Sequence, residues 1–352
     1  MKESPDRVPI DDALLAGFRY ACRPDCGLCC YAEPRLGPSE ASALLQILPS
    51  APIVSDGRDE HLGSRPNGGA CALLRENRCE GHAARPSVCR EFPLTAHVGS
   101  RVQATVVLTC PGVDVGALRE YRGPSDAARA EGFEGELAAL RGRVDRSATR
   151  ELLASQRRHR RIARVLAREG RWQADEEVRR TLAPRLPDLR AEEFPPEDPP
   201  RAEDGLERLP LVYDGRPGPL AFARALGGWE LLELRPSGGI AKTLGVYPPP
   251  ERPPRLTEDG RRTLAGYLRY WLERDQLFGA VHLAMLEGSG GTVAEWVDSE
   301  LAAIAALTAA RADVLARARA GTDGPLTDRE IVAGIRALDL DLLDRPTWGG
   351  RL

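Results

Sequence analysis

The chain has 352 residues, 42% of them hydrophobic, and its 49 basic and 52 acidic residues leave a formal net charge of −3. Because positive and negative charges nearly balance, the protein has no strong net electrostatic field that would attract nucleic acid or an anionic membrane. No apolar run approaches the ~18 residues of a membrane span, and the charged N-terminus lacks the apolar segment of a signal peptide. We therefore expect a cytoplasmic protein of two domains, or one with a large extension, that has no membrane partner and is not built to bind nucleic acid.

The first part of the chain predicts short elements around a run of cysteines. A short helix is expected near Asp11 to Phe18, and a longer one at Ser39 to Leu48, between two prolines. The segment 51–69 is expected to be a loop. Apolar residues alternate from Val102 to Leu108, which predicts a strand, and Gly99-Ser100 before it predicts a hairpin turn.

The rest of the chain is predicted to be mainly helical. Helical periodicity covers residues 117–182, and the prolines and acids at 194–205 indicate a linker. Alternation predicts a hairpin of Trp229–Leu234 and Ile240–Val246. Further helices are predicted at Thr257–Gly279, at Ala294–Ala320, and behind a capping box formed by Thr327 and Glu330.

These elements predict an α+β fold, in which a small cysteine-rich metal-binding module precedes a mainly helical region with a short β-hairpin. All eight cysteines lie between Cys22 and Cys110, so the two parts of the chain serve different chemistry. The predicted division is a cysteine-cluster module at 1–116, a helical region at 117–193, a Pro-rich linker at 194–209, and a helix-rich region with the hairpin at 210–352.

The eight cysteines are the main functional signal. Four form a CxxxCxxCC run and four follow at wider spacing: Cys22, Cys26, Cys29 and Cys30, then Cys71, Cys79, Cys89 and Cys110. In a reducing compartment such clustering favours metal ligation over disulfides or scattered core thiols. Thiolates in a short loop can each reach a different iron of one cubane cluster. We therefore expect Cys22, Cys26 and Cys29 to share a site, while Cys30, whose side chain points the other way, faces a second one.

The sequence pattern resembles the CxxxCxxCC zinc- or iron-chelating cysteine-cluster family, also called YkgJ-like. Over residues 18–115 the resemblance includes the CxxxCxxCC run, the segment Cys79–Pro93 with its RP, CR and aromatic-proline pairs, and Cys110-Pro111-Gly112. It implies thiolate ligands for zinc or an iron-sulfur cluster, often with an oxidoreductase label, but no defined substrate. His82 stands where the family has tyrosine, and we expect it to pack rather than to ligate.

Two arginines flank Cys89 and are expected to offset the negative charge of metal-bound thiolates: Arg85 and Arg90. Other histidines, namely His61, His97, His159 and His282, are isolated in the sequence, and we expect them at the surface or in the core rather than at a metal. The arginine-rich stretch 143–171 is expected to be a solvated helix face. No catalytic motif is present, so no catalytic residue is predicted.

Three functions remain in competition. The leading hypothesis is an iron-sulfur protein, with a [4Fe-4S] cluster, a redox or cluster-dependent enzymatic role, and a redox or protein partner. The alternative is a zinc-binding structural or interaction module without catalysis. The third is a modification enzyme that uses a cluster and S-adenosylmethionine. Against this third function, Leu28 stands where an aromatic residue is usual, and the units of a partial barrel are missing. The sequence does not decide between one metal site and two, or between an iron-sulfur cluster and zinc.

Overall fold

Helices and small sheets make up the computed structural model, so the predicted α+β fold is confirmed. The structure describes residues 8–23, 26–31, 35–55, 60–76, 78–124, 130–144, 146–188, 201–204, 206, 209–213, 219–248, 250, 253–288, 290–321, 324–343 and 350–351. The α-helices are α1 (Pro38–Ile47), α2 (Ser87–Glu91), α3 (Glu134–Arg143), α4 (Arg146–Arg168), α5 (Asp175–Leu182), α6 (Glu258–Leu272), α7 (Asp275–Glu287), α8 (Val293–Ala320) and α9 (Asp328–Leu343). Within the described residues, no helix is both long and apolar enough to cross a lipid bilayer.

The strands are short and fall into separate sheets. They are β1 (Ile10–Asp11), β2 (Arg35–Leu36), β3 (Ile53–Ser55), β4 (Glu60–Leu62), β5 (Leu74–Arg75), β6 (Arg78–Cys79), β7 (Leu94–Val98), β8 (Val102–Val106), β9 (Leu211–Val212), β10 (Leu220–Ala225), β11 (Gly228–Leu234), β12 (Ile240–Tyr247) and β13 (Gly350–Arg351). The sheet orders are β1-β8-β7-β13, β12-β11-β10-β9, β2-β4-β3 and β5-β6.

Several predicted elements are confirmed. The helix expected at Ser39–Leu48 is α1, the hairpin turn lies between β7 and β8, and the later hairpin is β11–β12. The alanine-rich helix is α8, and it ends at Gly321, whose φ of 65° is the left-handed conformation that glycine accepts most easily. Thr327 and Glu330 cap α9 as predicted, since the Thr327 N–H donates to Glu330 Oε2 at 2.9 Å.

Other predictions are wrong, because tertiary contacts override the local pattern. The segment Asp11–Phe18 forms only a 3-10 turn at Ala13–Leu15, since Ile10–Asp11 pairs in parallel with β8. The segment 51–69 contains β3 and β4 rather than loop alone. The later hairpin belongs to a sheet that also holds β9 and β10. Most of the predicted linker at 194–209 lies outside the described residues, and the predicted domain boundaries stay predictions.

The helix predicted at Thr257–Gly279 is two helices, α6 and α7, because the backbone of Arg274 adopts an extended conformation that interrupts the helix. This arginine side chain is fully buried and lies 3.3 Å from Asp339, also fully buried, on α9. Arg274 Nη2 donates to the Val106 carbonyl at 3.0 Å, and the Leu108 N–H donates to Asp339 at 2.7 Å. A buried ion pair therefore joins the helices to the end of β8, just before Cys110.

Two hydrophobic clusters matter for the site. The main core packs both strands of the β7–β8 hairpin against α6, α8 and α9, and every residue of β8 is buried. A small separate cluster lies among α1, β4 and the turns that carry cysteines. Its buried members are Leu36, Ala41, Leu44, Ala51, Leu62, Cys71 and Leu73, with Cys30 and Cys79 packed against it. The part of the cysteine-rich segment that carries Cys30, Cys71 and Cys79 thus rests on a core far smaller than the main one, to which Cys110 belongs.

Candidate metal centre

The CxxxCxxCC run folds as a loop followed by one tight turn. Gly27 adopts a φ of 59°, and the 3-10 turn Leu28–Tyr31 follows it, carrying Cys29 and Cys30. The Cys30 N–H donates to the Gly27 carbonyl at 3.0 Å, which closes this turn. Glycine is suited to this position because a side chain there would strain the left-handed backbone. The turn thus holds the adjacent thiols of Cys29 and Cys30 next to each other.

The later cysteines are delivered by short elements. Cys71 lies in a bridge with Ser64, and its N–H donates to the Cys30 carbonyl at 2.6 Å, which ties it to the CxxxCxxCC turn. Cys79 ends the two-residue strand β6, and Cys89 lies in α2. Cys110 follows β8 and is buried, as is Cys71, whereas Cys22 is exposed.

Mutual electrostatic effects divide the thiols into two sets. The first thiol set is Cys22, Cys26 and Cys110, and the second thiol set is Cys30, Cys71, Cys79 and Cys89. Burial raises the pKa of Cys110 to about 12, and negative charge on Cys26, Cys29 and Cys22 adds to the rise. Burial also raises the pKa of Cys89, with further contributions from Cys29, Cys71 and Cys79. The thiols therefore sit close enough to oppose each other's ionisation unless a cation is shared.

Cys29 acts on both sets. A hydrogen bond from the Cys30 thiol lowers the pKa of Cys29 to about 7, against the effect of burial, and Arg85 lowers it further. The same hydrogen bond, with burial, raises the pKa of Cys30. The hydrogen bond thus favours the thiolate form of Cys29, and this residue interacts with thiols of both sets.

One backbone device recurs at four of the cysteines. In each case the backbone N–H two residues further on is hydrogen-bonded to the sulfur and lowers the thiol pKa. The pairs are Cys26 with Leu28, Cys71 with Leu73, Cys79 with Gly81, and Cys110 with Gly112. Such N–H groups stabilise negative charge on sulfur, which is the charge that a thiolate ligand keeps when it binds a metal.

Guanidinium groups surround the thiols. Arg85 lies close enough to Cys29, Cys79 and Cys89 to lower the pKa of each, and its buried Nε has no hydrogen-bond partner among the described residues. Arg90 instead acts on Glu40, whose carboxylate also accepts the backbone N–H of Ser87 at 2.6 Å. Arg85 is thus positioned to offset thiolate charge, and Arg90 stabilises the start of α2.

Two further arginines were missed by sequence reasoning. Arg65 lowers the pKa of Cys71, while its guanidinium donates to backbone carbonyls, among them Pro236 at 3.0 Å. Arg336 comes from α9 and lies near Cys110, and it donates to the Val113 carbonyl at 3.2 Å. No local sequence signal marks either residue, because each reaches the thiols only through the tertiary fold.

The sulfur spacing is wider than a single ion requires. Four thiolates around one tetrahedral zinc, at Zn–S distances of ~2.3 Å, lie about 3.8 Å apart. Among the residues that the structure describes, only one group of three ligand atoms lies mutually within 4.8 Å, and it contains no cysteine. Among the described residues, no three sulfurs therefore lie as close together as the ligands of one zinc ion. His82 is exposed, so the expectation that it packs is wrong.

Residues 21–111 match the model of the CxxCxxCC family, described as a "putative zinc- or iron-chelating domain". The resemblance seen in the three cysteine motifs is thereby confirmed, and the match supports chelation of zinc or iron by this part of the chain. Neither a curated protein nor a solved structure matches the sequence. The assignment of individual cysteines as ligands remains a prediction.

Proposed function

We propose that the region matching the zinc- or iron-chelating family holds iron-sulfur clusters of the [4Fe-4S] type and serves a redox or cluster-dependent enzymatic role. The observation that carries the proposal is the arrangement of eight thiols in two mutually interacting sets, with no three sulfurs within 4.8 Å of one another among the described residues. A cubane cluster takes one thiolate on each of its irons, so its ligands stand farther apart than those around one ion.

The division of thiols suggests two sites with four ligands each. Cys29 joins the first thiol set, which gives Cys22, Cys26, Cys29 and Cys110, and the second thiol set supplies the other four. This grouping keeps the three nearby cysteines of the CxxxCxxCC run together and assigns Cys30 to the other site. The expectation that the side chains of Cys29 and Cys30 point to opposite sides is wrong, because the two residues share a 3-10 turn and their thiols are hydrogen-bonded to each other.

A bound cluster would supply one-electron transfer, and the surrounding residues have defined tasks. The recurring N–H groups and Arg85 stabilise negative charge at the sulfurs, which favours the more negative, reduced state of a cluster. Burial of Cys71 and Cys110 limits the access of water. Exposure of Cys22 places the first site nearer the surface, where an electron-transfer partner could approach.

Anaerobic purification of the full chain tests the proposal. We expect a brown protein with acid-labile sulfide, equal amounts of iron and sulfide, and about eight irons per chain, with Mössbauer parameters of cubane clusters. A colourless protein with stoichiometric zinc and no acid-labile sulfide would overturn it. A site with three cysteines and an open position would point instead to S-adenosylmethionine or substrate binding at that iron.

Matched cysteine variants test the two-site grouping. Cys110→Ser removes a ligand of the first site and Cys79→Ser a ligand of the second. With two sites, each variant loses about half of the iron and the remaining cluster keeps its spectrum. Complete loss of iron in both variants would show that the eight thiols close over one site.

A zinc-stabilised module is the second candidate, and the small core favours it. The cluster around Leu44 and Cys71 is built from few apolar side chains, and three of the cysteines themselves pack in it. Structural zinc often supplies the folding free energy that such a core lacks. This function predicts that chelation unfolds the region without removing any redox activity.

A further inference from the structure

Three helices outside the cysteine region bring two imidazoles and a carboxylate together. His159 lies on α4, Asp175 is the first residue of α5, and His282 lies on α7. One potential ligand atom from each residue lies within 4.8 Å of the other two. His282 Nε2 is 3.5 Å from Asp175 Oδ1, which is too long for a strong hydrogen bond and suits two ligands of a shared ion.

His282 is buried and Asp175 is partly buried, and both carry polar atoms without a hydrogen-bond partner among the described residues. The His282 side chain is 0% exposed and that of Asp175 is 20% exposed. Neither ring nitrogen of His282, nor Asp175 Oδ1, has a hydrogen-bond partner among the described residues. Buried polar atoms are almost always satisfied, because leaving one unpaired costs roughly 1–3 kcal/mol. One ring nitrogen of His282 and Asp175 Oδ1 lie, together with one atom of His159, within 4.8 Å of one another, and this convergence of unpaired polar atoms indicates a ligand there.

Aromatic rings hold the imidazoles in place. The Trp172 ring lies 4.9 Å from the His282 ring and 5.5 Å from the His159 ring, between ring centroids. The two imidazoles are stacked with centroids 5.6 Å apart, and Phe278 closes the far side at 6.2 Å from His282. These ring contacts fix the positions of both imidazoles.

The nearby charges leave Asp175 as the carboxylate of the cluster. The neighbouring Asp275 is occupied, since Arg179 binds its Oδ1 at 2.9 Å and Arg101 binds the same atom at 3.0 Å. Asp175 is therefore the carboxylate whose oxygen meets the two imidazoles.

We propose that His159, Asp175 and His282 bind one divalent first-row transition-metal ion and leave coordination positions open to water or a small ligand. Two imidazoles and one carboxylate are the ligand set of catalytic zinc sites and of mononuclear iron(II) sites, and three protein ligands leave such an ion incompletely coordinated. This site shares no residue with the thiols, so it stands whether or not the cysteine region holds a cluster. The isolated histidines expected at the surface or in the core thus include two that converge.

Cobalt(II) binding to the full chain tests this site. After metal removal under reducing conditions, Co²⁺ is titrated and bound cobalt is counted by elemental analysis. Cobalt on thiolates shows an intense sulfur-to-metal charge-transfer band, whereas cobalt held by nitrogen and oxygen does not. We expect the wild type to bind one Co²⁺ per chain beyond the thiolate-bound cobalt, without a contribution to that band.

Asp175→Asn is the deciding variant because it keeps the shape of the side chain and removes the charged ligand. We expect it to weaken the nitrogen-oxygen cobalt site at least about 10-fold while the thiolate band is unchanged. Glu176→Gln is the matched control: it removes the same charge from the next position of α5, on a side chain that is 84% exposed. Its cobalt binding should equal that of the wild type.

His282→Gln is a second variant, checked by circular dichroism because the residue is fully buried. Loss of the additional cobalt in both ligand variants, with normal folding and a normal Glu176→Gln control, supports the site. Equal cobalt counts in wild type and Asp175→Asn, or equal weakening by Glu176→Gln, would overturn it. Iron and zinc contents of protein isolated from cells then identify the natural ion, and the thiolate band reports separately on the cysteine region.

Discussion

The two candidate metal centres rest on very different frameworks. Cys30, Cys71 and Cys79 lie on turns and a two-residue strand around a small core, and Cys110 lies in the main core behind β8. The imidazole-carboxylate cluster instead lies among helices that pack in the main core. Thiolate ligands that surround few apolar side chains depend on the metal for their fold, because the chain alone buries too little surface there. Ligands on packed helices are held in place before any ion binds. The difference separates a site that the metal organises from a site that the protein organises.

The largest effect should follow metal removal. Chelation under reducing conditions is expected to abolish hydrogen-exchange protection in residues 35–55, 60–76 and 78–92, because their core is small and thiolate-metal binding supplies roughly 10 kcal/mol in isolated zinc modules. Protection of α8 should persist, since its buried face belongs to the main core. Hydrogen-deuterium exchange with mass spectrometry measures both at once. An equal loss of protection in both regions, or a loss in neither, would show that the two regions do not differ in their dependence on metal.

Asp339→Ala tests how strongly the buried ion pair holds α9 and the start of α7 to the end of β8, just before Cys110. The substitution leaves Arg274 buried and uncompensated and removes the acceptor of the Leu108 N–H, so we expect a loss of about 3–5 kcal/mol in the free energy of unfolding. Urea titration measures it. Asp12→Ala, which removes an exposed partner of Arg141, is the control and should cost about 0–1 kcal/mol. A similar small loss in Asp339→Ala would contradict the role of the pair.

Arg85→Gln and Arg90→Gln form a matched pair on either side of Cys89. Because Arg85 lies near three thiols and Arg90 near Glu40, the first change should lower metal affinity about 10- to 100-fold and the second much less. Competition with a chromophoric chelator gives both affinities. Equal losses of metal affinity would mean that the two arginines act only through the net positive charge they add to the region and not through their positions.

The smallest expected effect concerns a contact between the later hairpin and the loop before Cys71. The Ala70 N–H donates to the Pro236 carbonyl at 3.2 Å, and the Gly239 N–H donates to the Asn67 carbonyl at 2.9 Å. A Cβ at Gly238, whose φ is 100°, would overlap the carbonyl oxygen of Pro66. We expect Gly238→Ala to reduce the free energy of unfolding by about 1–2 kcal/mol.

Gly239→Ala is the control for this contact. Its φ of 81° carries a similar backbone cost, but no atom lies within 4 Å of the position of its Cβ. Thermal unfolding of both variants separates the backbone cost from the clash. If Gly239→Ala destabilises the protein as much as Gly238→Ala, the contact contributes nothing to holding the loop of Cys71.

Sequence reasoning worked where a signal is local and long. Helix α8 has a complete apolar stripe and a glycine at its end, and strand β8 has strict alternation, so both were predicted. It failed where a distant contact decides the backbone. The break between α6 and α7 depends on Arg274 reaching β8, and β9 and β10 are strands only because they pair in a sheet.

The candidate sites divide in the same way. The amino-acid sequence was enough to locate eight thiols in one third of the chain and to match them to a zinc- or iron-chelating family, and the four thiols of the CxxxCxxCC run stay close in any fold. The tertiary fold was needed to show which thiols interact across the wider spacings, that Arg65 and Arg336 lie beside them, and that His159, Asp175 and His282 meet. The physical reason is distance along the chain: short loops hold their ligands together by covalent connection, whereas helices far apart in sequence meet only when a core packs them.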